Sequence, residues 1–228
     1  MNKANSSNRC KSDSIVLTTN TKDKFSKNPY KIILLSLIVI ACLLLIKPSY
    51  LYAKSVLAQV LLKHAWQETQ QTYLQAPEQD KQQHSQEKYL PWQWADSYPV
   101  AKLTYKKNNV SWIIMAGMTG RAMAFAPTWL EDSAKPNQYG NTVISAHNDS
   151  HFNVLEDSDV GEEFLLEDQQ GKILTYRITT INIVSEYDVS SYLFQDETMI
   201  TLITCYPFEV TNKIKTQRLV IQAVKYNH

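Results

Sequence analysis

The stretch Thr201-Leu-Ile-Thr-Cys205-Tyr-Pro-Phe208 decides the reading of this chain. Its first part alternates and is β-branched, as a strand requires, and Pro207 cannot continue a ladder of backbone hydrogen bonds. Cys205 is therefore expected at the end of a strand, where a side chain meets solvent. A cysteine that only fills a core more often sits in mid-strand. A strand-end thiol is a candidate nucleophile if a base lies nearby.

A second run has the same form. Asn141-Thr-Val-Ile-Ser-Ala-His147-Asn-Asp-Ser-His151-Phe152 carries an apolar strand into a polar cluster that begins with His147. Imidazole titrates near neutral pH, so it can generate a thiolate and protonate a leaving amine. His151 is the rival base. A metal reading of His147 with His151 lacks a third cluster of ligands, and no metal site is assigned. A third run, Thr216-Gln-Arg218-Leu-Val-Ile-Gln-Ala-Val224, opens the last strand with an arginine, and 12 residues separate it from Cys205. If that connection folds back, Arg218 lies beside the thiol and can hold a developing oxyanion. Arg121 and Arg177 are weaker candidates, since neither adjoins the cysteine or histidine run. Ala146, Asp149 and Thr204, which flank the histidine and the cysteine, are candidate substrate-binding residues.

Around these runs the chain from residue 90 reads as a compact all-β domain, with short apolar segments between turn residues. Candidate strands are 100–105, 110–116, 122–125, 142–145, 163–167, 173–184, 199–204 and 219–224, with Asn108-Asn109 as a tight turn. The run 173–184 changes phase, which a β-bulge near Thr179-Thr180 reconciles. The best helical signals in this part are at 127–132 and 189–194.

The N-terminal part is different. Residues 1–31 are polar and lysine-rich, as a disordered cytoplasmic tail is. Ile32–Ile46 is apolar and bounded by Lys31 and Lys47; with Pro48-Ser-Tyr-Leu-Tyr52 it can cross a bilayer as a helix over residues 32–52. No small-x-small cleavage site follows, so an uncleaved signal-anchor is expected rather than a removed signal peptide. Four lysines precede the span within ten residues and two follow within eight, which puts the bulk of the chain outside the cytoplasm. Residues 53–89 read as a juxtamembrane helix, with Val56, Leu57, Val60, Leu61 and Ala65 at helical spacing, and then a polar linker. His64, His84 and His228 have no neighbours that suggest chemistry.

Composition excludes several classes. A formal net charge of +1, from 23 basic and 22 acidic residues, offers no field for nucleic acid. Five glycines leave no glycine-rich phosphate loop. Of three cysteines, Cys10 falls in the tail and Cys42 in the apolar span, so Cys205 is alone in the exported part and unavailable for a disulfide within it.

Taken together, Thr201-Leu-Ile-Thr-Cys205, the upstream His147 and the downstream Arg218 resemble the signature of the sortase family of cysteine transpeptidases. The resemblance covers about residues 90–226, and Pro91-Trp-Gln-Trp-Ala-Asp96, Phe125-Ala-Pro127 and Cys205-Tyr-Pro-Phe208 look most like its proteobacterial (marine) subgroup. It implies an eight-stranded β-barrel with short helices over residues 90–228, behind the transmembrane helix. It also implies a single-pass protein of the inner membrane whose catalytic domain faces the periplasm. The implied activity is cleavage of an LPxTG-like sorting signal on a protein substrate, through an acyl-thioester on Cys205, and transfer to an amine acceptor. His147 would act as acid and base and Arg218 would stabilise the oxyanion; no cofactor is required. Where the family usually has Gly-His-Arg-Asp-Thr, this chain has Ala146-His147-Asn148-Asp149-Ser150, a departure that bears on substrate choice more than on chemistry. A hydrolytic cysteine protease with the same site, and a non-catalytic tethered β-domain that binds a partner, are the competing readings.

Overall fold

Eight strands close into a barrel, and the reason is visible in the alternation of their side chains. The structure, a computed structural model, describes residues 29–77, 79, 88–209 and 214–227. Most of the tail expected at 1–31, much of the expected linker including His84, and Cys10 and His228 lie outside these residues. The strands are β1 (Pro99–Tyr105), β2 (Val110–Ala116), β3 (Thr128–Trp129), β4 (Asn141–Ser145), β5 (Glu163–Asp168), β6 (Ile173–Ser185), β7 (Met199–Tyr206) and β8 (Gln217–Tyr226). Their order around the barrel is β1-β2-β3-β4-β7-β8-β6-β5, closed by β5 against β1. The β2–β3 and β4–β7 pairs are parallel and the others antiparallel, so the barrel is mixed.

Residues of one parity fill the interior. Leu103, Tyr105, Ile114, Ile144, Phe164, Leu166, Tyr176, Ile178, Ile200, Leu202, Ile221 and Ala223 form one buried cluster. Residues of the other parity on β4, β7 and β8 make a second, outer cluster. Val143, Ile203 and Val220 are covered there by Val189, Tyr192 and Leu193 of the β6–β7 connection, which holds a 3-10 turn at Val189–Tyr192. These three strands are thus apolar on both faces through their middle and leave their ends for polar residues. The expected bulge in β6 is present, as a register shift between Ile178 and Thr180.

The segment 117–132 reverses the expectation. Residues 122–125, expected as a strand, contribute to a short helix, α2 (Gly120–Met123), whose first turn is capped by the Thr119 hydroxyl accepting from the Ala122 N–H. Residues 127–132, expected as helical, contain β3, which is held by Met115 and Ala116 on one side and by Ile144 and Ser145 on the other. Two flanking strands decide the outcome over any local preference.

Ahead of the barrel, a helix (α1) runs from Pro29 to Gln75. Its stretch Pro29–Lys47 is long and apolar enough to cross a membrane. In the unit formed by residues 49–228, the later turns of α1 pack on the barrel. The buried face is Ala58, Leu62, Ala65, Trp66 and Thr69, whereas Val56, Leu57 and Val60 are exposed. The face read from hydrophobic spacing is therefore not the one that docks, apart from Ala65. Leu62 meets Met115 and Ala126, next to Trp92 and Phe125, whose rings meet edge to face at 5.1 Å. The Gln59 side chain donates to the Phe125 carbonyl (2.6 Å) and that of Gln70 to Glu167 (2.6 Å). The tracts 91–96 and 125–127 thus include residues that seat this helix.

Candidate active site

Strand register builds the site. In the β7–β8 pair, Cys205 stands directly opposite Arg218. Opposed residues of an antiparallel pair share a face, with Cβ atoms about 5 Å apart. Their neighbours Thr204 and Leu219 are buried at 2% and 5% exposure, so Cys205 and Arg218 occupy the outer face. In the parallel β4–β7 pair, Ser145 stands opposite Ile203, and His147 follows two residues beyond this last paired position. The N–H of Ala146 still donates to the Ile203 carbonyl (3.2 Å), so the pairing continues beyond the last residue of β4. One row across the outer face therefore reads Cys205, Arg218 and Val184, the residue of β6 opposite Arg218, and the loop that carries His147 is bonded to the Cys205 segment through Ala146 and Asn148 on either side of it.

The row has an apolar floor and polar bracing. Ile203 and Val220 of the outer cluster lie two residues along the strands from Cys205 and Arg218, with Val143 of β4 beyond them. His147 is exposed and Cys205 is half-buried, a free thiol accessible to a ligand. Two hydrogen bonds lock the histidine loop to the cysteine strand. The Thr204 hydroxyl donates to the Ala146 carbonyl (2.7 Å), and the buried Asn148 side chain donates to the Pro207 carbonyl (2.9 Å). The Ser145 hydroxyl adds a third, to the Ile203 carbonyl (3.1 Å).

Arg218 is held on two sides. Its Nη1 donates to the carbonyls of Lys215 (2.7 Å) and Gln217 (2.9 Å), and its Nη2 to Glu186 Oε2 (2.7 Å). A guanidinium has five N–H donors, so these bonds do not exhaust it.

Structure thus sets Cys205 opposite Arg218, with the His147 loop bonded beside them, and gives Arg177 and Arg121 other partners. His151 is half-buried; desolvation, and secondarily the neighbouring charge of His147, hold its pKa below the ordinary histidine value. Arg177 lies over the Tyr226 ring and pairs with Glu163 (2.7 Å), and Arg121 approaches Asp96 (3.9 Å). Of the residues taken as substrate contacts, Asp149 is exposed on the histidine loop, whereas Thr204 and Ala146 point into the barrel wall and bond to each other. The sequence marks Asn148 only as a departure from the family pattern and does not mark Glu186, because neither a buried amide nor a carboxylate after a strand announces its distant partner. A recess of about 610 Å³, lined in part by Trp129, Lys135, Asp168 and Gln169, opens at the other end of the barrel and does not include the row.

A family model described as a sortase domain matches residues 103–226. Among solved structures, a Clostridium perfringens sortase D5 transpeptidase superposes with a TM-score of 0.60 at 20% identity, over 74% of this chain and 99% of that one. Sortase A from Corynebacterium diphtheriae gives 0.52 at 21% identity, over 75% and 85% of the two chains. A lid mutant of that enzyme gives 0.53 at 21%, over 76% and 95%. At such identities these likenesses show a shared fold. No curated protein matches the chain.

Proposed function

This chain belongs to the sortase family, and from that premise we propose that it is a membrane-anchored cysteine transpeptidase that acts on an LPxTG-like sorting signal. The observation that carries the reading is that Cys205 of β7 stands opposite Arg218 of β8 on the outer face, with the loop that carries His147 bonded to the same segment through Ala146 and Asn148.

The chemistry follows from the positions. A substrate strand lying over the outer face brings its Thr carbonyl to the Cys205 sulfur. The thiolate attacks the carbonyl carbon, and the oxygen takes the negative charge. The Arg218 guanidinium faces that oxygen from the next strand, a kind of stabilisation worth about 3 kcal/mol in the barrier. His147 gives its proton to the departing Gly amine as the C–N bond breaks. The acyl group now sits on Cys205 as a thioester. An incoming amine loses a proton to His147, attacks the thioester carbonyl, and expels the thiolate, which completes the transfer.

Thr204 and Ala146 serve this scheme by joining the histidine loop to the cysteine strand, and exposed Asp149 is free to meet substrate. Asn148 in place of the family's usual arginine removes a positive charge from this loop. The apolar stretch at the start of α1 acts as the anchor, with the barrel on the periplasmic side of the inner membrane, as the likeness to the proteobacterial subgroup suggests. An enzyme and a substrate tail held in one bilayer meet at raised effective concentration.

The test is product analysis of a fluorescent LPxTG-like peptide incubated with the protein, with and without an added amine. Cleavage after Thr, an amine-dependent ligated product, and loss of both in Cys205→Ala are expected. Hydrolysis product alone under every condition would make the protein a protease, and cleavage by Cys205→Ala would remove the thiol mechanism.

A further inference from the structure

Arg218 sits between two strands that each present it with a side chain. On β7 that residue is Cys205. On the other flank β6 places Val184 opposite Arg218 and, two residues on, Glu186 just past the strand end. Residues two apart on a strand share a face, so Glu186 lies on the outer face with Val184, diagonal to Arg218 and within reach of a long side chain. The backbone there is fixed as well, because the Glu186 N–H donates to the Thr216 carbonyl (2.8 Å). The carboxylate meets the guanidinium at 2.7 Å, with the side chains only 22% (Arg218) and 31% (Glu186) exposed. The carbonyls of Lys215 and Gln217 take the other terminal nitrogen.

We propose that Glu186 is a positioning residue: its carboxylate, anchored at the end of β6, clamps the Arg218 guanidinium in the row with Cys205. The proposal rests on the transpeptidase reading for the role of Arg218. Without the carboxylate, a long four-torsion side chain is held only by the carbonyls of Lys215 and Gln217 and swings toward solvent. A guanidinium fixed before the reaction costs nothing to reorient as the oxyanion forms. The same carboxylate also dilutes the positive charge that the thiol feels. The two effects act on the thiolate with opposite signs, which makes them separable. Loss of a clamp deprives the thiolate of its cation and raises the thiol pKa; loss of mere dilution lowers it.

The experiment is alkylation of the full-length protein in detergent micelles with iodoacetamide across a pH series. Modification is read by mass spectrometry on the peptide that contains Cys205, so that Cys10 and Cys42 do not contribute. The comparison is between variants and not of absolute values. R218A is expected to move the alkylation midpoint upward. E186A is expected to move it in the same direction by at least half as much, on the order of 0.5 pH unit. E186Q, which keeps an oxygen acceptor but no charge, is expected to stay at or below the wild-type midpoint. An E186A midpoint that falls or stays put overturns the proposal; so does an R218A profile that coincides with wild type, since Arg218 then has no hold on the thiol.

Peptide cleavage provides a second readout. E186A should lower kcat about 10-fold with KM within about 2-fold, and E186A/R218A should be no slower than R218A, as expected for residues acting as one unit. Multiplicative losses in the double variant would contradict the clamp. If the wild-type protein cleaves no peptide, the transpeptidase reading fails, while the alkylation series still decides the part played by Glu186.

Discussion

Replacing Thr204 by Val removes one hydroxyl and keeps the shape of the side chain. In the wild-type protein that hydroxyl donates at 2.7 Å to the Ala146 carbonyl, and the two residues are 2% and 4% exposed. Water cannot readily replace the lost donor there, so the variant carries a buried carbonyl deprived of its partner. Such a group costs about 1–3 kcal/mol. For a domain of this size, a loss near 2 kcal/mol lowers Tm by about 4–8 °C. The kinetic consequence is larger in kind, because Ala146 directly precedes His147. Freed from β7, the histidine loop samples positions away from the thiol, and small misplacements of a catalytic group cost up to about 100-fold in rate. We expect kcat for peptide cleavage to fall about 10-fold with KM within about 2-fold. Thr204→Ser, which retains the hydroxyl, should recover most of both losses. The assay pairs thermal unfolding with steady-state cleavage. A Thr204→Val protein with wild-type Tm and kcat would refute the tie, and a rise in KM alone would make Thr204 a substrate contact instead.

Two further predictions concern the framework. Leu62, fully buried between α1 and the barrel, should cost about 2–5 kcal/mol as Leu62→Ala; chemical denaturation that shows a midpoint unchanged from wild type would mean that the later turns of α1 are not docked in solution. Glu163, which accepts from Lys106 and Arg177, has its pKa lowered from 4.5 to about 2 by those hydrogen bonds. A carboxylate depressed in the folded state contributes stability that is complete above its unfolded pKa and is lost as pH falls toward the folded value. Wild type should therefore exceed Glu163→Gln in Tm above pH about 4.5, with the gap closing toward pH about 2; a gap independent of pH would contradict this.

Much of the barrel can be read from the sequence because alternation decides it. In Thr201–Cys205, every second residue must face the core, and the strand ends where Pro207 withholds an N–H. The same rule places β1, β2, β4, β5, β6 and β8 within a residue or two. It fails at 117–132, where short apolar windows fit a strand or a helix equally. There the partners decide: β2 and β4 recruit Thr128–Trp129, and Thr119 caps the turn ahead of them. It fails again on α1, where Val56, Leu57 and Val60 advertise a face, yet small Ala58, Ala65 and Thr69 beside Leu62 let the barrel approach. Cys205, His147 and Arg218 carry recognisable chemistry, and strand ends suggest where they go. The bonds of Asn148 and Glu186 do not stand out, since their partners lie 59 and 32 residues away and only the register brings them together.

The central claim is that the Cys205 sulfur carries the acyl group. It is tested most directly by intact-mass and peptide-level mass spectrometry of the full-length protein quenched in acid during turnover of an LPxTG-like peptide. The account predicts an adduct on Cys205 equal to the peptide fragment ending at Thr, which disappears when hydroxylamine is added. Turnover with Cys205 unmodified at every quench time, and unaffected by its replacement with Ala, would contradict it.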